Sequence, residues 1–287
     1  MKIIWLIAVD SIRSLLHQRL LLGLMLATLA LTLFFSITMS SARTHITAQF
    51  SEETNTNSFT ATNGASAAGK RNLPNPATNG MSEADQRQFR ETMENASSSI
   101  QAFFYQVGSF GGSLVALFIF STAVAGEIRK STIRLTLSKP VSRTQFLLGK
   151  YLGGVVVMAA YALISSAAIL LFAQTQKLEM GEAIRWAPWL MFCRQLMLGS
   201  LAMLLSLFLH PMIASLLAFF AGNGLSSPPN PFYYILPSYQ DFNVFFQVLQ
   251  GSLMHPKDIA FLSLYAVDFV AIMLLLALWR FRTKELV

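Results

Sequence analysis

The chain has 287 residues, of which 54% are hydrophobic and only 12% are charged. Soluble domains carry roughly 25% charged residues, so this composition excludes a water-soluble fold of the same size. The net charge of +7 could indicate nucleic acid as a partner, but the distribution of the basic residues indicates membrane topology instead. The one cysteine, Cys193, lies in an apolar stretch and has no second cysteine with which to form a disulfide within the chain.

Apolar stretches long enough to cross a bilayer recur along the sequence. A hydrocarbon core of about 30 Å needs about 20 apolar residues in a helix. Six spans are predicted, at residues 20–40, 103–125, 150–173, 189–209, 211–225 and 259–279. The fifth segment is short, so the fourth and fifth form either a full hairpin or a pair that re-enters partway. Both versions leave the C-terminus on the same side. We therefore predict an all-α membrane protein, a single transmembrane domain over residues 1–287 with about six transmembrane helices.

The short loops fix the orientation, because cytoplasmic loops carry an excess of lysine and arginine. With the N-terminus inside, twelve basic residues and three acids face the cytoplasm, against nine basic residues and eleven acids on or near the other side. The inside basic residues are Lys2, Arg13, Arg19, Arg129, Lys130, Arg134, Lys139, Arg143, Lys150, Arg280, Arg282 and Lys284. Both termini, including the tail at 280–287, are predicted to be cytoplasmic, and no nucleic-acid partner is expected.

Residues 1–19 precede the first span and have a helical pattern of their own. One face of that helix is apolar and consists of Trp5, Val9, Ile12 and Leu16. Another face is polar and consists of Asp10, Arg13 and His17. Such a pattern suits a helix that lies in the membrane interface. The alternative is a plain cytoplasmic extension of the first span.

Two longer loops are placed on the outside, at residues 41–102 and 226–258. The first is rich in Asn, Thr, Ser, Ala and Gly from residue 51 to residue 80 and is predicted to be flexible. A helix is predicted to begin at Ser82 and to run into the second span. The second loop is dense in aromatic residues, which favours a position at the membrane interface; an outer gate or substrate vestibule is the functional alternative.

The inside segment 126–149 is the most informative part of the chain. The helical pattern of the second span continues past Ala125, and Lys139-Pro140 interrupts it because the residue before proline disfavours the α conformation. Ser142 and Gln145 then form a capping-box pattern that starts a new helix. Six basic residues fall within the 22 positions 129–150. That is more than topology needs, so the corner is predicted to bind a partner.

The same segment resembles the permease subunits of ATP-binding-cassette (ABC) exporters of the type-2 class, in the bacterial branch with six spans. The matching residues are Glu127, Thr132-Ile133, Leu137-Ser138-Lys139-Pro140-Val141-Ser142-Arg143 and Leu148-Gly149-Lys150. Ser131 and Thr136 depart from the glycine and leucine that are usual there. Leu236-Pro237 and the amphipathic start resemble the same branch in its outer loop and its elbow helix.

The resemblance implies that the corner is a coupling helix that seats in a cleft of a separate ABC ATPase subunit. It implies the following coupling residues: Glu127, Arg129, Lys130, Arg134, Ser138, Lys139, Pro140, Val141, Ser142 and Arg143. It further implies two ATPase copies and a second permease copy, as a homodimer in the inner membrane of a prokaryote. This sequence contains no Gly-x-x-x-x-Gly-Lys-Ser/Thr loop and no metal-ligand spacing, so it is expected to be non-catalytic, with no cofactor of its own. ATP and Mg would be bound by the partner subunit.

Two charged residues fall inside predicted spans and form a candidate intramembrane polar site. Asp268 is in mid-span, where a charge costs at least about 2.5 kcal/mol on insertion scales. Arg194 is a candidate partner, although its long side chain could instead reach the outer interface. Two patterns of the form Gly-x-x-x-Gly, at 108–112 and 149–153, are typical of close helix packing.

Three functions compete at this level: an ABC exporter permease, an ion-coupled secondary transporter, and a non-transporting membrane anchor or signalling subunit. A carrier would need more intramembrane ionisable residues and usually a repeat, whereas this chain has one central acid and no repeat. An anchor would tolerate changes at Lys139, Pro140 and Arg143. The sequence does not identify the cargo. Membrane lipid is expected to surround the spans, and residues 41–102 are expected to meet an extracytoplasmic partner.

Overall fold

The structure, a computed structural model, describes residues 2–17, the single positions 23, 26, 27 and 30, and residues 83–129, 142–175, 182–222, 239, 241–243 and 255–283. Most of the first predicted span at 20–40, the outer segment before residue 83 and the tail after residue 283 lie outside the described residues. So do six of the predicted coupling residues: Lys130, Arg134, Ser138, Lys139, Pro140 and Val141.

Six helices have defined bounds in this part of the chain, and no strand occurs among the described residues. The helices are α1 (Lys2–His17), α2 (Glu83–Arg129), α3 (Arg143–Thr175), α4 (Glu182–Ser206), α5 (Pro211–Phe220) and α6 (Pro256–Thr283). Four of them, α2, α3, α4 and α6, contain stretches long and apolar enough to cross a membrane. The described part of the chain is therefore helical, with four helices that could cross a membrane, which agrees with the predicted class; the count of about six spans stays a prediction.

Helix α2 is much longer than a membrane crossing requires. It begins at Glu83, directly after the predicted cap at Ser82, and its apolar stretch covers Ala102–Gly126. The 19 residues before Ala102 continue the same helix, which adds about 28 Å at the usual rise per residue. The second span therefore projects from the bundle at one end.

The described part of the fifth segment contains a short α-helix. His210 caps α5: its Nδ1 accepts a hydrogen bond from the Met212 backbone N–H at 3.2 Å, and Pro211 occupies the first helical position. The ten residues of α5 span about 15 Å, half of a hydrocarbon core. A side chain at Gly222 would overlap Leu198, so the end of α5 lies beside the middle of α4.

Contacts between helix ends show that α3 runs opposite to α6, whereas α4 runs in the same direction as α6. The start of α3 contacts the end of α6 through Arg143 and Phe281. At the other end, the Trp189 indole N–H near the start of α4 donates to Ser263 Oγ near the start of α6 at 2.8 Å. We call the end where α2 stops and α3 begins the corner end, and the opposite one the far end.

Two clusters of buried apolar residues fill the bundle. One lies in the half toward the far end and includes Phe104, Leu190 and Phe269. The other lies toward the corner end and includes Phe120, Phe146 and Phe281. Helix α4 contributes to both clusters and is the most enclosed span, whereas α6 lies on the periphery and exposes most of its apolar surface. The corner end is therefore packed on buried aromatic side chains.

Candidate coupling site at the corner end

The corner is bounded by two helix termini. Helix α2 ends at Arg129, with Glu127 in its last turn, and α3 begins at Arg143. The connection between them carries three cations, Lys130, Arg134 and Lys139, and no acid. Pro140 comes two residues before Ser142, the residue that caps α3.

The start of α3 is fixed by the predicted capping box. The Gln145 backbone N–H donates to Ser142 Oγ at 3.2 Å, and the Ser142 backbone N–H donates to Gln145 Oε1 at 3.2 Å. The two residues thus satisfy each other's backbone donors, an arrangement that typically contributes about 1 kcal/mol to a helix terminus. This sequence prediction is confirmed.

Arg143 binds the end of the last helix rather than extending into solvent. Its Nη1 donates to the carbonyl oxygens of Phe281 at 3.3 Å and Arg282 at 3.1 Å. In return, Arg282 Nη2 donates to Thr144 Oγ1 at 3.0 Å. A cation on the last carbonyls of a helix also complements the negative end of its dipole. We call these four residues, Arg143, Thr144, Phe281 and Arg282, the α3–α6 clasp.

Aromatic packing lies directly beneath the clasp. The rings of Phe146 and Phe281 stack with centroids 6.1 Å apart, and both side chains are fully buried. The Lys150 ammonium lies 5.8 Å from the centroid of the Phe146 ring, within the range of a cation–π contact. Because Lys150 is itself buried, this contact places a positive charge inside the base of α3.

A second cation–π contact joins the end of α6 to the connection between α4 and α5. The Arg280 guanidinium lies 4.9 Å from the centroid of the Phe208 ring. Phe208 follows the last turn of α4 and precedes the His210 cap of α5. The end of α6 therefore contacts both the start of α3 and the turn that precedes α5.

Helix α1 packs on α3 at the pair Gly149 and Gly153. A Cβ at Gly149 would lie 2.7 Å from Ile7 Cγ2, and one at Gly153 would lie 2.7 Å from Ser11 Cβ and 3.0 Å from the Ala8 carbonyl oxygen. Only glycine allows the two helices to approach this closely. The Gly-x-x-x-Gly pattern at 149–153 is therefore the surface of α3 on which α1 packs.

A group of polar side chains is buried between α2, α3 and α4, toward the far end. Arg194 is 5% exposed, and its Nη1 donates to Ser109 Oγ at 2.9 Å. Tyr161 donates from its hydroxyl to the Gly108 carbonyl oxygen at 3.3 Å. Gln195 is fully buried against Gly112, and its amide has no hydrogen-bond partner among the described residues. Arg194 thus lies inside the bundle and does not extend to an interface.

Asp268 lies elsewhere. It is on the exposed surface of α6, among apolar side chains such as Val267 and Ile272. Among the described residues it forms no salt bridge, and the structure does not bring it to Arg194, which is bound to Ser109. The two charged residues that the sequence offered as one polar site are therefore two separate features.

Aromatic residues of the segment 226–258 enter the bundle where the structure describes them. Tyr239 and Phe242 are buried; Tyr239 meets Phe269 edge to face with centroids 6.3 Å apart, and Phe242 stacks with Tyr265 at 6.4 Å. Both side chains therefore pack against α6. For the other residues of the segment 226–258, a position at the membrane interface or in an outer gate stays a prediction.

Sequence reasoning missed the α3–α6 clasp, although it singled out one of its members. Arg143 was predicted as part of the ATPase-coupling set, whereas its observed partners lie 138 and 139 positions further along the chain. Thr144, Phe281 and Arg282 have no local pattern that would have identified them. The Gly149 and Gly153 pair, in contrast, was marked in the sequence by its Gly-x-x-x-Gly pattern.

These features define a membrane protein whose described part is helical and whose corner end holds α1, α3 and α6 together. The chain belongs to the ABC-2 transporter family: residues 25–286 match the family model described as "ABC-2 family transporter protein". A search of curated proteins found no significant match.

The family membership selects among the three competing functions. It identifies a membrane permease of an ABC transporter, and it implies an ABC ATPase as partner. Permeases of this family are generally non-catalytic transport subunits. The resemblance recognised from the corner residues is therefore confirmed.

Proposed function

We propose that this permease is the membrane half of an exporter and that its ATPase partner docks on the corner between α2 and α3. The residues proposed to mediate coupling are Glu127, Arg129, Lys130, Arg134, Ser138, Lys139, Pro140, Val141, Ser142 and Arg143. ATP and Mg are bound by the partner, and this chain contributes no cofactor site. Movement of the ATPase subunits is passed through the corner to the spans as a rigid-body displacement.

The observation that carries the proposal is the way the base of α3 is held. The capping box fixes its first turn, the α3–α6 clasp ties it to the last span, and Gly149 and Gly153 seat α1 against it. A load applied at the preceding connection would therefore displace three helices together instead of unwinding one. A corner that only set topology would not need these contacts.

The corner end is proposed to face the cytoplasm, because the connection and the helix termini there carry the excess of basic residues. This places both termini in the cytoplasm and the protein in the inner membrane of a prokaryote. Helix α1 suits the membrane interface: its outward side exposes Trp5, Leu6 and Val9 beside Arg13.

We propose that two copies of this chain form the transport pathway, with one ATPase subunit on each. Helices α5 and α6 support a homodimer, since they present large apolar side chains outward, among them Ile213, Leu216 and Phe220 of α5. Surfaces of that kind are covered by lipid or by a second subunit. On the opposite side of the membrane, the projecting start of α2, with the preceding segment from residue 41, is proposed to meet an extracytoplasmic partner.

Co-expression with the candidate ATPase and reconstitution in liposomes test the proposal. The expected result is a stoichiometric complex whose activity requires ATP. An ATPase subunit with its phosphate-binding lysine replaced should assemble but give no activity, which serves as the control. Full transport by the permease without any ATP-binding chain would refute the proposal.

A further inference from the structure

The α3–α6 clasp joins the proposed docking corner to the last span, which is far away in sequence. Arg143 is the first residue of α3, one position after the cap, and the carbonyl oxygens it binds belong to the last turns of α6. The clasp is reciprocal, because Arg282 returns a hydrogen bond to Thr144. A reciprocal pair resists both separation and rotation of the two helix ends.

Arg143 makes both bonds from one nitrogen. Its Nη1 carries two N–H groups and donates to two successive carbonyl oxygens, at 3.3 and 3.1 Å. Beneath it, the stacked rings of Phe146 and Phe281 fill the space between the helices. The joint is thus polar on its outer side and tightly packed on its inner side.

Helix α6 packs mainly against α4 and only slightly against α3, so the clasp is a large part of its contact with α3. It is the peripheral span, and its buried residues are Ile259, Ala266, Phe269, Ala277 and Phe281. Of these five, only the last two lie in the corner half of the helix. Movement at the corner would therefore reach the end of α6 mainly through the clasp and the ring stack.

We propose that Arg143 is a positioning residue that transmits the movement of the docking corner to α6, and through Arg280 and Phe208 to the turn before α5. This inference rests on the proposed function, since it assigns a mechanical route to the ATPase-driven movement. It separates Arg143 from the cations of the connection: those contact the ATPase, whereas Arg143 holds the last span to α3.

The test uses the full complex of permease and ATPase, with Arg143→Ala, Arg143→Lys and Arg282→Ala. Turnover of ATP per assembled complex should fall by roughly fivefold or more in the alanine variants, a typical size for a lost coupling between sites. The KM for ATP should not change, because the nucleotide site is in the other chain. Arg143→Lys should recover part of the turnover, since it keeps the charge and a donor. Thr283→Val is the matched control: within the part of the chain that the structure describes, its hydroxyl bonds to Trp279 and Arg280 of its own helix and not to α3.

Hydrogen exchange with and without trapping by ATP and vanadate provides the direct readout. In the unmodified complex, trapping should change exchange at both the start of α3 and the end of α6. In Arg143→Ala, the change should persist in α3 and be lost in α6. Persistence of the α6 change at full turnover would overturn the inference.

Two further outcomes are distinguishable from each other. Release of the ATPase by Arg143→Ala, with the permease still folded, would overturn the inference by making Arg143 a docking residue. Failure of the unmodified permease to bind any ATPase would instead refute the proposed function, before any substitution is made.

Discussion

Arg194 and Ser109 join α4 to α2 in the interior of the spans, through a hydrogen bond of 2.9 Å from the guanidinium to the serine hydroxyl. Ser109 in turn offers its backbone carbonyl to the Ser113 hydroxyl at 2.8 Å. A buried guanidinium needs such acceptors, because burying a charge without hydrogen bonds is costly. The bond therefore stabilises the packing of the two helices.

Ser109→Ala should lower the stability of the permease by about 1–3 kcal/mol, since it removes an acceptor from a buried charged donor. The measurement is the melting temperature of the detergent-solubilised protein, followed by size-exclusion chromatography. Ser113→Ala is the matched control, because among the described residues the Ser113 hydroxyl bonds within its own helix, to the Ser109 carbonyl oxygen. Equal melting temperatures for the two variants would contradict the assigned role of the Arg194 bond.

Gly153→Leu should displace α1 from α3, because a side chain there would collide with Ser11 and with the Ala8 carbonyl oxygen. Displacement can be detected with Ser11→Cys, since Ser11 is only 2% exposed and its cysteine should react slowly with maleimide. Labelling should become fast when Gly153→Leu is added. Native Cys193 is buried and gives little background.

Gly108→Leu is the control for that experiment, because a Cβ at Gly108 meets nothing within 4 Å. It should leave the labelling of Ser11→Cys slow. If both leucine variants leave the cysteine protected, α1 is not held by the Gly149 and Gly153 seat.

Gly199→Ala should destabilise the bundle, because the Phe120 ring occupies the space that the added methyl group would need. A Cβ at Gly199 would overlap the Phe120 ring, and one at Gly154 of α3 would lie 2.6 Å from Phe120 Cε1. Overpacking of this kind costs about 1–3 kcal/mol. Thermal melting should show a clear loss for Gly199→Ala and none for Gly108→Ala, which has open space and gains helix propensity. An unchanged melting temperature for Gly199→Ala would mean that the ring moves aside freely.

Asp268→Asn should not change the ATP-driven activity of the complex. That activity should also not depend on a proton gradient, with or without the substitution. Asp268 is exposed on α6 and lies apart from the buried group around Arg194, so it offers no path for protons through the bundle. The measurement is activity of the reconstituted complex with and without an ionophore, and Asp258→Asn at the start of the same helix is the control. Activity that collapses with Asp268→Asn and with the ionophore would favour an ion-coupled carrier.

Local signals in the sequence predicted much of the helical framework. The helix start at Glu83, the reciprocal pair Ser142 and Gln145, and the apolar lengths of the four long spans are all encoded within a few neighbouring residues. The Gly149 and Gly153 pattern likewise marked a close helix contact, although it did not identify α1 as the partner. These features depend on backbone hydrogen bonds and hydrophobicity, which a linear pattern reports.

Contacts between distant segments could not be predicted in the same way. Nothing near Arg143 shows that its acceptors are the carbonyl oxygens of Phe281 and Arg282, because those oxygens are present in every residue and only the packing selects them. Asp268 and Arg194 were paired by opposite charge, but the rotation of α6 about its axis places Asp268 on the exposed surface. That rotation follows from tertiary packing and not from composition.

The central claim, that the corner between α2 and α3 binds the ATPase, is tested most directly by replacing its connection. Residues 130–141 would be exchanged for twelve residues of glycine and serine, with the same exchange at residues 60–71 as the control. The account predicts that the corner variant remains a folded membrane protein but no longer co-purifies with the ATPase, whereas the control does. A corner variant that still binds the ATPase and supports full turnover would contradict it.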